Sequence, residues 1–219
     1  MAERVTIVAR SGKVTVRAAK VSEVSAQGAQ VSHGPSGIVV GGGSGPVSVV
    51  VPEGTDVVVG TASGAVACEG RLGAVTITAR SGHITIEEAS RVDARTASAR
   101  IDIGRCDGEC NALTKSGVIK IEHAASVEVS AISGRVTIGQ AEHARVRCVA
   151  GAVKLTTGAQ PDVKVRTISG AVEVVVPRGT TPQTNLRAKV GRIRCDCEVG
   201  DDGLVDVETV SGRISVVCA

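Results

Sequence analysis

The chain has 219 residues and contains no Phe, Tyr or Trp, although 42% of it is hydrophobic and 27 residues are Gly. A rounded globular core of this size normally uses aromatic side chains to fill its centre, so the composition argues against such a core and favours thin layers of Val, Ile and Ala. The net charge of +3 is near balance, and together with the lack of aromatic stacking platforms it argues against a dedicated nucleic-acid binder.

Strand-like alternation starts at Val5, without the apolar segment of a signal peptide before it. No run of 18 or more apolar residues follows, which is the length that a membrane-spanning helix needs. We therefore expect a cytoplasmic protein without a transmembrane segment. Peripheral contact with a membrane surface stays open.

A Ser-Gly pair, or a degenerate copy of it, recurs twelve times at intervals of 16 to 21 residues. A Val or an Ile stands two residues after each copy: Val14, Val31, Val47, Val66, Ile84, Ile101, Ile119, Val136, Val153, Val172, Ile193 and Ile214. Apolar and polar residues alternate on both sides of each Gly, which indicates two short strands that meet at a corner. The pattern predicts an all-β fold, a single-stranded parallel β-helix (β-solenoid) of about 12 right-handed coils, 16–21 residues each, in a single domain over residues 1–219.

The alternation fails at residues 38–40 and 57–59, which leaves Val39 and Val58 pointing outward. Exposed contiguous apolar surface is typical of a contact face. Val39 and Val58 are therefore a candidate self-association face, with coverage by a loop of the same chain as the alternative. No capping helix precedes the first strand or follows the last one, so we also expect open ends that stack on copies or on a partner.

A longer echo joins two distant parts of the chain. Residues 44–55 and residues 169–180 match almost residue for residue, and both end in Val-Pro-x-Gly-Thr. Each copy reads as a strand that stops at the Pro, followed by a turn at the Gly. The echo suggests an internal duplication.

Three later coils carry basic residues at outward positions before the corner: Arg145, Arg147, Lys164, Arg166, Arg187 and Lys189. If coils stack in chain order about 4.8 Å apart, then Arg147, Arg166 and Arg187 form a ladder of like charges without acids between them. One interpretation is a hydrated face. The other is a docking face for an anionic partner, such as an acidic protein surface, phospholipid headgroups or a polyanion.

The residues offer little catalytic chemistry. The seven Cys show no metal-type spacing and mostly occupy apolar columns, which predicts reduced thiols that act as small hydrophobic side chains. A redox or metal role for Cys106 and Cys110, on either side of a turn, stays open. The four His fall at different repeat offsets, and neither a nucleophile elbow nor a phosphate-binding loop is present. We predict no enzyme activity, no cofactor and no metal; a solenoid-based enzyme is the least favoured alternative.

The repeated Ser-Gly-x-Val-x-Val pattern, the Val-Pro-x-Gly-Thr turns and the Thr-x-Ser-Gly-x-Val segments at residues 61–66, 167–172 and 209–214 resemble the bacterial "putative adhesin" β-strand-repeat family, also called toastrack. The resemblance covers nearly the whole chain. It implies a β-solenoid and carries no agreed catalytic residues. Bactofilin, a cytoskeletal β-helix that polymerises end to end, is similar in architecture alone.

These observations predict a non-catalytic structural or scaffolding solenoid that self-associates or presents a rigid surface to another protein. A binding or adhesin-like module that docks an anionic partner through its basic residues is the alternative.

Overall fold

The computed structural model describes residues 4–34 and 37–219, which form strands and connecting turns without any helix. The strands are β1 (Arg4–Ala9), β2 (Val14–Ala19), β3 (Ser25–Gln27), β4 (Ala29–Gly34), β5 (Gly37–Gly42), β6 (Val47–Pro52), β7 (Asp56–Val176), β8 (Gln183–Cys195) and β9 (Leu204–Cys218). β7 is one uninterrupted extended path of 121 residues that includes most of the repeat. The predicted all-β, solenoid-like fold is confirmed.

The chain divides into two compact units, Met1–Gly108 and Glu109–Ala219. The prediction of a single domain stays a prediction. We refer to these as unit 1 and unit 2 and describe each by itself.

Stacking in both units depends on the corner glycines. Gly64 has a φ of 135° and Gly82 a φ of 129°, a region that side chains with a Cβ rarely adopt. A Cβ atom on Gly82 would collide with the carbonyl oxygen of Gly64, and one on Gly64 would collide with that of Gly12. In unit 2 a Cβ atom on a corner glycine would likewise collide with the carbonyl oxygen of the corner glycine beneath it. The pairs are Gly134 and Gly117, Gly151 and Gly134, Gly170 and Gly151, Gly212 and Gly170, and Gly191 and Gly212. The repeated Ser-Gly pair is thus needed because each corner lies directly against the backbone of the next one.

The aliphatic columns form the core. Of the twelve Val and Ile side chains two residues after the corners, ten are at most 1% exposed, and the exceptions are Val31 and Ile193. β-branched side chains suit this arrangement because each packs on its equivalent in the neighbouring coil. Both exceptions lie in strands at the edge of a unit.

In unit 1 the spatial order of the strands differs from their order in the chain. β1 lies in parallel between β5 and the start of β7, with Val5 paired to both Ile38 and Val57. β2 likewise lies between β6 and β7. The coil formed by β5 and β6 is therefore stacked outside the coil that precedes it in sequence.

The second of the twelve repeat copies does not form a parallel coil. β4 pairs with β5, and β3 pairs with β6, in antiparallel orientation. The prediction of a coil at Ala29 and Val31 is wrong. Val31 stands in the aliphatic column, but it pairs with Val40 in antiparallel orientation, His33 stands where most other copies place an aliphatic residue, and no side chain of β3 or β4 is buried. β3 and β4 cover the outer coil, and among the described residues they are themselves the terminal strands of the sheet order, each paired on one side alone.

Unit 2 contains a matching exchange of order. β9 pairs in parallel with residues 162–176 of β7 on one side and with β8 on the other. β8, although earlier in the chain, is thus the outermost strand of this sheet among the described residues.

The two echoing segments lie at these exchanges. Thr55 donates a backbone hydrogen bond to Pro52, and Thr180 does so to Pro177, in turns where Gly54 and Gly179 have positive φ. After each turn the chain passes over one coil position before it pairs again. The Val-Pro-x-Gly-Thr echo therefore marks a coil-skipping connection, and the duplication stays a prediction.

Candidate functional site

Unit 2 carries a column of exposed aliphatic side chains on four successive coils. They are Ile132, Val149, Ile168 and Val210, with exposures of 52%, 43%, 54% and 42%. Each stands two residues before a corner glycine. The pairing of Thr167 with Thr209 and of Ser169 with Ser211 places Ile168 beside Val210 in the stack. We call these four residues the aliphatic stripe.

The first three stripe residues line a cleft of about 510 Å³, together with Leu113. The cleft has depth because its floor consists of small buried side chains: Thr114, Ala131, Cys148 and Thr167. The hydroxyl of Thr167 donates a hydrogen bond of 2.9 Å to that of Thr209, which satisfies this polar group inside the sheet. Burial raises the pKa of the Cys148 thiol, so the cleft holds a protonated thiol and not a reactive thiolate.

Lys115, Arg147 and Arg166 line the margin of the cleft. Arg166 forms a bidentate pair with Asp206, at 3.0 Å from Nη1 to Oδ1 and 2.7 Å from Nη2 to Oδ2, and its Nε lies 3.2 Å from Glu208. The hydrogen bonds from Arg166 lower the pKa of Asp206. Arg147 lies 3.3 Å from Glu128. Both arginines are therefore neutralised by carboxylates of this chain, and the cleft margin carries little net charge.

The comparison with known families assigns the sequence. Residues 10–218 match the family described as Toastrack DUF4097. The chain belongs to the toastrack family. The resemblance seen in its sequence is thereby confirmed.

Two further comparisons give little more about this toastrack chain. No curated protein matches it. Among solved structures, the crystal structure of a "putative cell adhesion protein" from Clostridium sporogenes covers 100% of this chain and 94% of its own, at 8% sequence identity and a TM-score of 0.25. A TM-score of this size does not establish a common fold.

The toastrack fold separates the predicted basic residues. Glu208 of β9 pairs with Arg166 on one side and with Arg187 on the other. The prediction of a ladder without interleaved acids is wrong for these two arginines, because the last coil in the chain is inserted between theirs. Arg187 and Lys189 lie exposed on β8. Whether the six basic residues bind an anionic partner stays a prediction.

Arg145 lies in a different place from Arg147 and Arg166. It lines a second, polar cleft of about 260 Å³ together with Glu128, His143 and Asp162. His143 Nδ1 lies 3.6 Å from Asp162 Oδ2, so this cleft contains charges of both signs. Lys164 is exposed in the same unit and is paired in register with Asp206.

Val39 and Val58 in unit 1 do not form a contiguous surface. Thr6 of β1 pairs with Val39 on one side and with Val58 on the other. Val39 is 40% exposed and Val58 is half-buried. The expected apolar patch is therefore interrupted by a hydroxyl-bearing side chain.

The cysteines fall into three groups, of which Cys195, free and exposed, is one by itself. Cys68, Cys106, Cys110 and Cys148 are buried, as expected of small hydrophobic side chains. Cys197 and Cys218 form a disulfide, so the expectation of reduced thiols is wrong for this pair. Disulfides persist mainly in oxidising compartments, and the redox state of this pair in cells would test the predicted cytoplasmic location. A redox role of Cys106 and Cys110 stays untested.

The described residues contain no cluster of three or more His, Cys, Asp or Glu side chains placed to hold a metal ion. The ion network of Asp102 was not found from the sequence: its Oδ2 accepts hydrogen bonds from Arg100 at 2.8 Å and from His83 at 2.6 Å. Burial alone would raise the pKa of Asp102, but these two partners outweigh it and lower that pKa. Residues 4–34 and 37–219 also include no helix with the length and hydropathy to span a bilayer.

The stripe itself was missed in the sequence, although a signal for it exists. Position two before the corner is polar or small in the earlier coils but Ile or Val at residues 132, 149, 168 and 210. Because the alternation places this position outside the core, aliphatic residues there indicate a contact surface.

Proposed function

We propose that this toastrack chain is a non-catalytic structural module that self-associates through the aliphatic stripe of unit 2. The observation that carries the proposal is the continuity of Ile132, Val149, Ile168 and Val210 over four stacked coils, each about half exposed. The frame that presents them is proposed to be a right-handed solenoid of eleven coils, one fewer than the sequence repeat suggests.

The charges around the stripe favour a second copy over a charged partner. Arg166 is paired with Asp206 and Glu208, and Arg147 with Glu128, so two copies can approach without strong repulsion. A partner of one charge sign would gain little from a margin that is already neutralised.

A two-fold arrangement suits the geometry of the stripe. The four coils are about 4.8 Å apart, so an axis midway along the stripe would pair Val149 of one copy with Ile168 of the other. The same axis would pair Ile132 with Val210. An isologous contact of this kind closes on itself and gives a dimer and not a filament.

The expected affinity is modest. Completing the burial of a half-exposed Val or Ile contributes about 1 kcal/mol, so eight side chains contribute about 8 kcal/mol in total. Association costs about 4–15 kcal/mol in lost freedom. At the lower end of that cost about 4 kcal/mol remains, which corresponds to a dimer with a dissociation constant of about 1 mM.

Sedimentation equilibrium with interference optics tests this, since the chain has no Trp or Tyr to absorb at 280 nm. The native protein is measured from about 30 μM to about 3 mM, a range that brackets a dissociation constant of about 1 mM. The variant Ile132→Ser with Ile168→Ser is expected to remain monomeric throughout. Val199→Ser is the matched control, because Val199 is exposed but lies in the loop after β8 and outside the stripe.

Far-UV circular dichroism must show the same β signal for all three proteins. A native protein that stays monomeric at the highest concentration would sink the proposal. So would a stripe variant that dimerises as well as the native chain.

A further inference from the structure

The open edge of β8 exposes both backbone and core positions. Among the described residues β8 pairs with β9 alone, so its other edge presents unpaired N–H and C=O groups. Leu186 is in register with Val207, and Ile193 with Ile214, both of which are fully buried in β9. On β8 the same columns reach the surface, where Leu186 is half-buried and Ile193 is 46% exposed.

The outward side chains of this edge are basic. They are Arg187, Lys189, Arg192 and Arg194. Arg194 pairs with Asp196 at 2.9 Å. Within residues 4–34 and 37–219, no carboxylate lies within salt-bridge distance of the other three. The edge therefore combines an apolar column with an excess of positive charge, which Glu208 and Asp206 of β9 balance only in part, beside Arg187.

β9 shows what kind of strand this surface accepts. The segment from Val205 to Glu208 alternates aliphatic and acidic residues, with the aliphatic ones in the core. Its two acids are in register with Asn185 and Arg187 of β8, and Asn185 donates a hydrogen bond of 3.1 Å to Asp206. The paired side of β8 thus already holds an aliphatic and acidic strand, and the open side offers the same chemistry without one.

We propose that the open edge of β8 binds an extended segment of another protein in which aliphatic and acidic residues alternate, added to the sheet as a further strand. An aliphatic side chain of the segment covers Leu186, and its acids face Arg187 and Lys189. The backbone supplies affinity and the alternating side chains supply specificity. This partner surface adjoins the stripe, since Lys189 lies beside Val210 in the register of β8 and β9, but binding of the segment does not require self-association.

A segment that continues past the corner needs a Gly at one position. Gly191 has a φ of 141°, and a Cβ on it would collide with Gly212 of the coil beneath. A segment stacked on β8 would have one residue directly above Gly191, in the same position that Gly191 occupies above Gly212. A Cβ atom on that residue would collide with the backbone of Gly191. We therefore expect Gly in the partner above this corner.

A second copy of β8 is a poor occupant of the edge. Pairing two β8 edges would bring Arg187 and Lys189 of one copy against the same side chains of the other. Like charges on directly opposite positions of neighbouring strands destabilise the pair. Lysine on an edge strand is a known means of preventing such edge-to-edge association.

The probe is a labelled synthetic peptide with the sequence of residues 203–214, whose binding to the full chain is followed by fluorescence anisotropy at low salt. We expect saturable binding that weakens at least about ten-fold in the variant Arg187→Glu with Lys189→Glu. A peptide with its two acids replaced by Asn and Gln should weaken by a similar factor. The matched control, Lys120→Glu with Arg135→Glu, changes the net charge equally on exposed side chains of unit 2 and should bind as the native protein does.

Hydrogen exchange locates the peptide. Amides of residues 184–189 should gain protection, while those of β9 stay as protected as before. Loss of protection in β9 would mean that the peptide displaces β9, and would overturn the proposal.

Three other results would also overturn it: no saturable binding, equal binding by the peptide without acids, or equal loss in the control variant. Vesicles of phosphatidylserine and phosphatidylcholine are the last arm. The edge is a lipid surface if the native chain binds the vesicles but not the peptide, and if the variant Arg187→Glu with Lys189→Glu does not bind the vesicles. The stripe variant Ile132→Ser with Ile168→Ser should bind the peptide as tightly as the native protein does. Failure of the proposed self-association can therefore be distinguished from failure of the proposed strand addition at β8.

Discussion

The pair formed by Arg166 and Asp206 gives the sharpest test of the coil order in unit 2. If coils stacked in chain order, Arg166 would face Arg187, and its removal would relieve repulsion. In the structure Asp206 is only 12% exposed and accepts two hydrogen bonds from Arg166. Charge-assisted hydrogen bonds of this kind contribute about 1.5–3 kcal/mol, and bidentate pairs lie among the stronger ones. We expect a coupling free energy of about 2 kcal/mol.

A double-mutant cycle with Arg166→Met, Asp206→Asn and their combination measures this coupling. Urea unfolding followed by far-UV circular dichroism gives the free energies of unfolding, because the chain has no Trp or Tyr for fluorescence. The exposed pair of Arg17 and Glu69, 2.9 Å apart, is the control and should couple by less than about 1 kcal/mol.

The coupling should also depend on pH in a defined direction. The pKa of Asp206 is lowered from its ordinary value of 3.8, chiefly by the hydrogen bonds from Arg166. Stabilisation from this group is therefore complete above that value and is lost as the pH falls through the lower pKa of the folded state. A coupling below about 0.5 kcal/mol at pH 7, or one that is unchanged in acid, would refute this account of unit 2.

Two further predictions concern the corners and the thiols. Gly82→Ala should lower the free energy of unfolding by more than about 2 kcal/mol, because it adds strain at positive φ to a collision with the next corner. Gly45→Ala, where no atom lies within 4 Å of the added methyl group, should cost less than half as much in the same urea experiment. Alkylation followed by mass spectrometry should modify the exposed Cys195 rapidly and leave Cys68 unmodified in the folded protein, since burial raises the pKa of Cys68 to about 12. Equal rates at the two thiols would contradict the buried position of Cys68.

The core was predictable because it depends on local repetition. Ile84 and Ile101 stand at the same offset from their corners and are fully buried, and only spacing was needed to find them. Coil order was not predictable in the same way. Every coil presents the same aliphatic columns, so the sequence of β9 packs as well between two other coils as at the edge. The choice depends on the connecting turns. The repeated turns after Pro52 and Pro177 were visible in the sequence, but their residues did not show that the chain skips a coil there.

Surface predictions failed where they depended on that order. Val39 and Val58 follow one another in outward position along the repeat, but the strand that holds Thr6 lies between them. Arg166 and Arg187 are separated by Glu208 for the same reason. The stripe could have been found because Ile132, Val149 and Ile168 lie on coils that do stack in sequence.

Insertion of β9 beneath β8 has a consequence for the open edge. An exposed strand at the edge of a sheet frays unless its ends are held. β8 is held at its start by the turn from Pro177 to Thr180 and by the hydrogen bond of Gln183 to Gly203. Just beyond its end, the disulfide from Cys197 to Cys218 links it to β9. Because β8 is fixed at both ends, its conformational entropy is already low, and a docking strand loses little binding free energy in ordering it. The affinity for a complementary segment should therefore fall when the disulfide is reduced. If reduction leaves peptide binding unchanged, the hydrogen bonds to β9 alone are sufficient to order the edge.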